Sequence, residues 1–102
     1  MAFKIIIKPI VFFDLDEALM WYEGEQSGLG QRFYKSFENA INRIKKNPHA
    51  FFDVIPGVKR ILLKKFPYKV FYTISEKNVF VIGISHAKRS NSYIRKRLRL
   101  LP

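Results

Sequence analysis

Two hydrophobic periods meet at Asn47-Pro48, and that change constrains the fold more than any other feature of the chain. Upstream, Phe33, Phe37, Ala40, Ile41 and Ile44 recur at i, i+4, i+7, i+8 and i+11, the stripe of an amphipathic helix. Asn47-Pro48 ends it, because a proline ring disfavours helical backbone at the residue before it. Downstream come three runs rich in β-branched and aromatic residues, Val58–Leu63, Tyr68–Ile74 and Val79–Ser85. Phe66-Pro67 and Glu76-Lys77-Asn78 separate them, gaps short enough for hairpins. Residues 48–57, with Pro48, Pro56 and Gly57, read as a loop.

The N-terminal part adds a strand and a helix. Phe3 to Lys8 is short, apolar and closed by Pro9, which predicts a strand. Leu15, Ala18, Leu19 and Tyr22 recur at helical spacing, giving a helix over 10–25 with Asp14, Asp16 and Glu17 in its first half. Gly28-Leu29-Gly30 breaks it and makes the two helices a hairpin. Ser90-Asn91-Ser92 offers an N-cap for a short terminal helix holding Ile94 and Leu98. The order β-α-α-β-β-β-α predicts an α+β fold over 1–102 as one domain, with the helices packed on one face of an antiparallel three-stranded meander.

Composition narrows the chemistry. With no cysteine and two histidines among 102 residues, thiolate metal sites are excluded and a zinc site is not expected. No run approaches the roughly 20 apolar residues of a membrane span, so a cytoplasmic location without membrane contact is the expectation. Charge is uneven. Residues 1–50 carry seven bases and six acids, whereas 51–102 carry twelve bases and two acids. Such a half-molecule attracts polyanions, or an acidic protein segment. The acids cluster in the first helix, away from the bases, which disfavours two-carboxylate hydrolysis and Mg²⁺-dependent nuclease chemistry.

Metal-free, cofactor-free chemistry on phosphate remains. A 2′-hydroxyl attacks its own phosphodiester when one group takes its proton, another protonates the leaving oxygen and cations hold the phosphate. Strand alternation puts Arg60 with Val58 and Leu62, and Lys69 with Phe71 and Thr73, while His86 falls in phase with Phe80, Ile82 and Ile84. Arg60, Lys69 and Arg89 are the candidate phosphate ligands, and His86 or Tyr93 the candidate proton carriers. A histidine ending a strand equally serves as a structural hydrogen-bonding residue, and Tyr93 equally as a packing aromatic. Lys64, Lys88, Arg95, Lys96 and Arg97 carry the excess charge and form a candidate surface for nucleic acid or another target.

Taken together, DLDEALMWYE, SGLGQRFYKSFENAINRIKKNP, VKRILLKKFPYKVFYTI and ISHAKRSNSYIRKR resemble the RelE/ParE superfamily of type II toxin–antitoxin toxins, a plasmid-stabilisation type, over nearly the whole chain. The resemblance implies a small toxin neutralised by a cognate acidic antitoxin whose flexible segment wraps it. It implies one of two targets: mRNA cut in the ribosomal A site by a metal-independent mRNA interferase, or DNA gyrase, poisoned without cleavage. Carried over, the basic strand positions fall on Arg60 and Lys69, the arginine closing the sheet on Arg89, and the tyrosine on Tyr93. Leu62 and Ala87 stand where the nuclease pattern has cations. An oxyanion donor is worth about 2–4 kcal/mol in a transition state, so these departures weigh against cleavage. A basic nucleic-acid-binding or adaptor module without catalysis is the alternative. Phe51 and Phe52, apolar yet in the loop, are candidate antitoxin contacts or satellite core.

Overall fold

The chain was analysed as a computed structural model, which describes residues 2–100. Its elements run β1 (Lys4–Ile7), α1 (Pro9–Glu25), α2 (Leu29–Lys46), a 3-10 turn at Pro48–Ala50, β2 (Asp53–Ile55), β3 (Val58–Leu62), β4 (Tyr68–Ser75), β5 (Asn78–His86) and α3 (Ser92–Leu100). The expected helices and strands are present within one or two residues. The predicted loop, however, contains a further strand: β2 pairs antiparallel with β3, and its Asp53 holds Lys59 at 3.0 Å. Strand order is β1-β5-β4-β3-β2, with β1 parallel to β5 and the remaining pairs antiparallel. The meander is thus the centre of a five-stranded mixed sheet.

Helix α1 starts at Pro9, where a missing N–H costs nothing because the first helical N–H groups lack intrahelical partners. The turn into α2 explains the Gly-Leu-Gly break. Gly28 takes φ +88°, a left-handed conformation natural to glycine. The Glu23 carboxylate accepts hydrogen bonds from the Gly28 and Gly30 N–H groups at 3.0 Å, capping α2 from the preceding helix. A Cβ on Gly30 would lie 2.8 Å from the Leu19 carbonyl oxygen, so only glycine lets the hairpin close this tightly.

The main core lies between this hairpin and one face of the sheet: Val11, Leu15, Phe33, Phe37, Ala40 and Ile44 meet Ile61, Val70, Tyr72, Val79 and Val81. Helix α3 does not join them. Its Ile94 packs with Val58, Phe71 and Ile82 on the opposite face, forming a second core. The expectation of helices on one face is therefore corrected. Strands β3 and β4 each turn an apolar residue to both sides, and the second side is covered too.

What lets α3 dock is an incomplete edge. Strand β1 pairs with β5 only as far as Ile7 opposite Val81, so among the described residues the outer edge of β5 beyond it has no neighbouring strand. Side chains of α3 serve the exposed carbonyls instead. Arg97 Nη1 donates to the Ile82 oxygen at 3.2 Å and the Tyr93 hydroxyl lies 3.3 Å from the Ile84 oxygen. Both also reach one carboxylate on α1. Asp14 Oδ2 accepts from Tyr93 Oη and from Arg97 Nη2, each at 2.9 Å. Arg97 is 8% exposed, so it leaves the basic surface assigned to it from sequence and becomes a buried, paired charge.

Removing the carboxylate charge strands a buried guanidinium. Asp14→Asn is expected to lower unfolding free energy by about 2–3 kcal/mol, read from the urea midpoint. Asp16→Asn, at an exposed site of the same helix, is expected to stay within about 0.5 kcal/mol of the parent.

Candidate functional site

The register of β3 and β4 collects the predicted cations. Leu62 pairs with Lys69 and Arg60 with Phe71, so Arg60 and Lys69 sit diagonally on the face that carries α3. Each is held. The Arg60 guanidinium stacks 4.4 Å from the Phe52 ring, and Phe52 itself is 63% exposed. Lys69 is buried and donates from Nζ to the Arg89 carbonyl oxygen at 2.9 Å, tying the segment after β5 to the sheet. Burial, and then the neighbouring Arg60 charge, pull the Lys69 pKa below its ordinary value. Arg89 is exposed, with its guanidinium 4.2 Å from the centre of the Tyr93 ring. Arg60, Lys69 and Arg89 thus border one face whose aromatic walls fix two guanidinium planes, an arrangement suited to phosphate oxygens.

The predicted proton carriers do not join them equally. Tyr93 is in place, but its hydroxyl proton is donated to Asp14. Burial, then the Asp14 charge, push its pKa up to about 12, so at neutral pH the phenol is a donor and not a base. His86 lies elsewhere. Phe71 pairs with Gly83 and Tyr72 with Val81, which leaves Ile82 as an extra residue on β5. This bulge resets the alternation: Phe80 and Ile82 pack on the α3 side, whereas Ile84 joins the main core. His86 therefore stands apart from Phe80 and Ile82, contrary to the expected phase, with its ring 5.4 Å from Tyr68. Its Nδ1 accepts the Lys88 N–H at 3.2 Å, which leaves the proton of the neutral ring on Nε2.

His86 and Arg89 line a cleft of about 670 Å³ with Asp14, Glu17, Trp21, Tyr22 and Tyr68. A larger cleft, about 790 Å³, opens on the hairpin side between Arg32, Lys35, Lys64 and Lys65, above Tyr22, Leu29 and Phe66. Lys88, Arg95 and Lys96 are exposed, as expected of a charged surface. Phe51 packs against the main core, leaving Phe52 as the exposed member of the pair. Sequence reasoning missed Asp14, which is 79 residues from Tyr93 and has no local signal. It also passed over Trp21, although α1 holds more large apolar residues than one buried stripe needs.

The raised Tyr93 pKa has a pH signature. An unfolded tyrosine ionises near pH 10, and the folded one near 12. Between those values the unfolded chain has lost the proton and the native chain has kept it, so stability falls as pH rises. Thermal unfolding of Tyr93→Phe is expected to fall less steeply from pH 10 upward than that of the parent. The remainder comes from the other tyrosines whose pKa burial raises, Tyr22, Tyr68 and Tyr72, the last with its hydroxyl bonded to the Pro48 oxygen at 2.7 Å.

No protein-family model matches the chain, and no curated protein matches it in sequence. Solved structures do match. A mutant of the E. coli toxin RelE in the free state aligns over 99% of this chain and 100% of its own, with TM-score 0.65 at 17% identity. A chromosomal ParDE toxin–antitoxin system from P. aeruginosa gives TM-score 0.64 at 16% identity, covering 84% of this chain and 97% of the other. An archaeal RelE–RelB complex from Pyrococcus horikoshii gives 0.54 at 14% identity, covering 88% of this chain and 100% of the other. The chain has the fold shared by the RelE and ParE toxins.

Proposed function

We propose that this protein is the toxin of a type II toxin–antitoxin pair, acting on RNA and neutralised by a cognate acidic antitoxin. The observation that carries this reading is the gathering of Arg60, Lys69 and Arg89 on one face of a RelE-type fold. Arg60 and Arg89 take phosphate oxygens through flat guanidinium groups held against Phe52 and Tyr93. Lys69 adds charge beneath them and fixes the backbone that carries Arg89. Lys88, Arg95 and Lys96 extend the field that draws the strand in. Tyr93 packs its ring against Arg89 at the rim of this face, with its hydroxyl proton held by Asp14. The antitoxin's acidic segment covers the same cations and rests an apolar residue on Phe52.

A gyrase-directed toxin is the second reading. It is favoured by Leu62 and Ala87, apolar where the nuclease pattern has cations, and by the separation of His86 from the cationic face. On that reading the basic surface docks a protein and cuts nothing.

Induced expression without antitoxin is expected to arrest growth, and Arg60→Ala with Arg89→Ala to relieve the arrest. Primer extension on translating ribosomes is expected to show cuts within A-site codons, each arginine change lowering the rate by roughly 10²–10³-fold. Inhibited supercoiling with intact mRNA would establish the gyrase reading instead. Harmless expression together with salt-sensitive binding to plain nucleic acid would leave a binding module and refute the toxin.

A further inference from the structure

The cleft lined by His86 and Arg89 carries chemistry that phosphate binding does not use. Its wall is a run of rings in edge-to-face contact: Trp21 to Tyr22 at 5.1 Å, Tyr22 to Tyr68 at 6.0 Å and Tyr68 to His86 at 5.4 Å. Trp21 is 61% exposed, so its indole leaves open surface at one end of that wall. Glu17 also lines the cleft, and among the described residues it makes no hydrogen bond or ion pair. His86 lines the same cleft, and its ring N–H donor is on Nε2 because Nδ1 is held by the Lys88 N–H. An aromatic platform, a free carboxylate acceptor and a ring N–H donor in one cleft are the parts that bind a flat heterocycle by its face and its edge.

Arg89 joins this cleft to the phosphate-binding face. It lines the cleft, while its guanidinium packs on Tyr93 and its carbonyl is held by Lys69. A phosphate held at Arg89 therefore has its own nucleoside within reach of the cleft. We propose that this cleft is a nucleobase pocket, which receives an unstacked base on Trp21 while Arg89 holds the adjoining phosphate. The proposal rests on the nucleic-acid reading above. Guanine suits it best, because its N1–H and N2–H₂ edge offers paired donors to the Glu17 carboxylate. A cationic side chain of a partner protein is the competing occupant, since rings and a carboxylate also suit it. The charge around the mouth disfavours that occupant: Arg89 and Lys88 are exposed beside the cleft, and residues 51–102 carry twelve bases against two acids.

Trp21 is the sole tryptophan of the chain, so its fluorescence reports this cleft alone. Single-stranded RNA hexamers of each base and an abasic ribose-phosphate hexamer, all end-labelled, are titrated in parallel by anisotropy and by tryptophan emission. At equal occupancy the base-bearing strands are expected to quench Trp21 several-fold more than the abasic strand, oligoguanylate most. Trp21→Ala is expected to weaken base-bearing strands by roughly 5- to 150-fold, with the abasic strand unaffected and Trp21→Phe intermediate. Glu17→Gln is expected to narrow the preference for guanine. Strand binding without quenching, or equal quenching by the abasic strand, overturns the pocket while leaving phosphate binding intact. Absence of strand binding overturns both. Quenching by an arginine- or lysine-containing peptide but by no oligonucleotide assigns the cleft to a cationic partner and overturns the base.

Discussion

One carboxylate closes this fold. The Asp14 side chain on α1 receives Tyr93 and Arg97 from α3, and those same two residues serve the carbonyls of Ile84 and Ile82 on β5. The arrangement exists because β1 stops short: a parallel neighbour as long as β5 would occupy the edge that α3 caps. Unpaired carbonyls at a buried edge need donors. The guanidinium provides one to Ile82 without a further strand, while the phenol, its proton given to Asp14, packs beside the Ile84 carbonyl. Asp14 then neutralises the buried guanidinium. Helices that pack on opposite faces of the sheet are thereby joined around its edge.

The β5 bulge decides what each side of that edge can do. Had the alternation run through, His86 would share a side with Phe80 and Ile82, near Arg60 and Lys69. The extra residue at Ile82 turns the end of the strand over, so that Ile84 joins the main core and His86 meets Tyr68. Gly83 lets α3 sit close over this part of β5, since a Cβ there would lie 3.1 Å from Ile94 and 3.2 Å from the Tyr93 hydroxyl. Two surfaces result, a cationic face under α3 and an aromatic cleft beside α1. They meet at Arg89, which the Lys69 hydrogen bond and the Tyr93 ring hold between them.

Charge follows the same division. Helix α1 carries five of the eight acids and no lysine or arginine, and Asp14 is the one that the clamp consumes. In the second half the fold takes several bases for itself: Lys59 pairs with Asp53, Lys69 is buried against the Arg89 carbonyl, and Arg97 is buried against Asp14. Sequence alone could not separate Arg97 from Arg95 and Lys96. All three lie in one basic helix, and only the one facing β5 is desolvated.

By itself the sequence determined the elements: the period change at Asn47-Pro48, the Gly-Leu-Gly break, the meander and the basic second half. It also named Arg60, Lys69 and Arg89 as candidates, and the short hairpins it predicted bring Arg60 and Lys69 to one face through the β3–β4 register. Tertiary structure alone decided the rest. The side on which α3 packs, the strand hidden in the 48–57 loop, the bulge that moves His86 and the Asp14 clamp each depend on partners far along the chain. A register shift or an open edge is a property of two strands together, and neither strand's own sequence pattern records it.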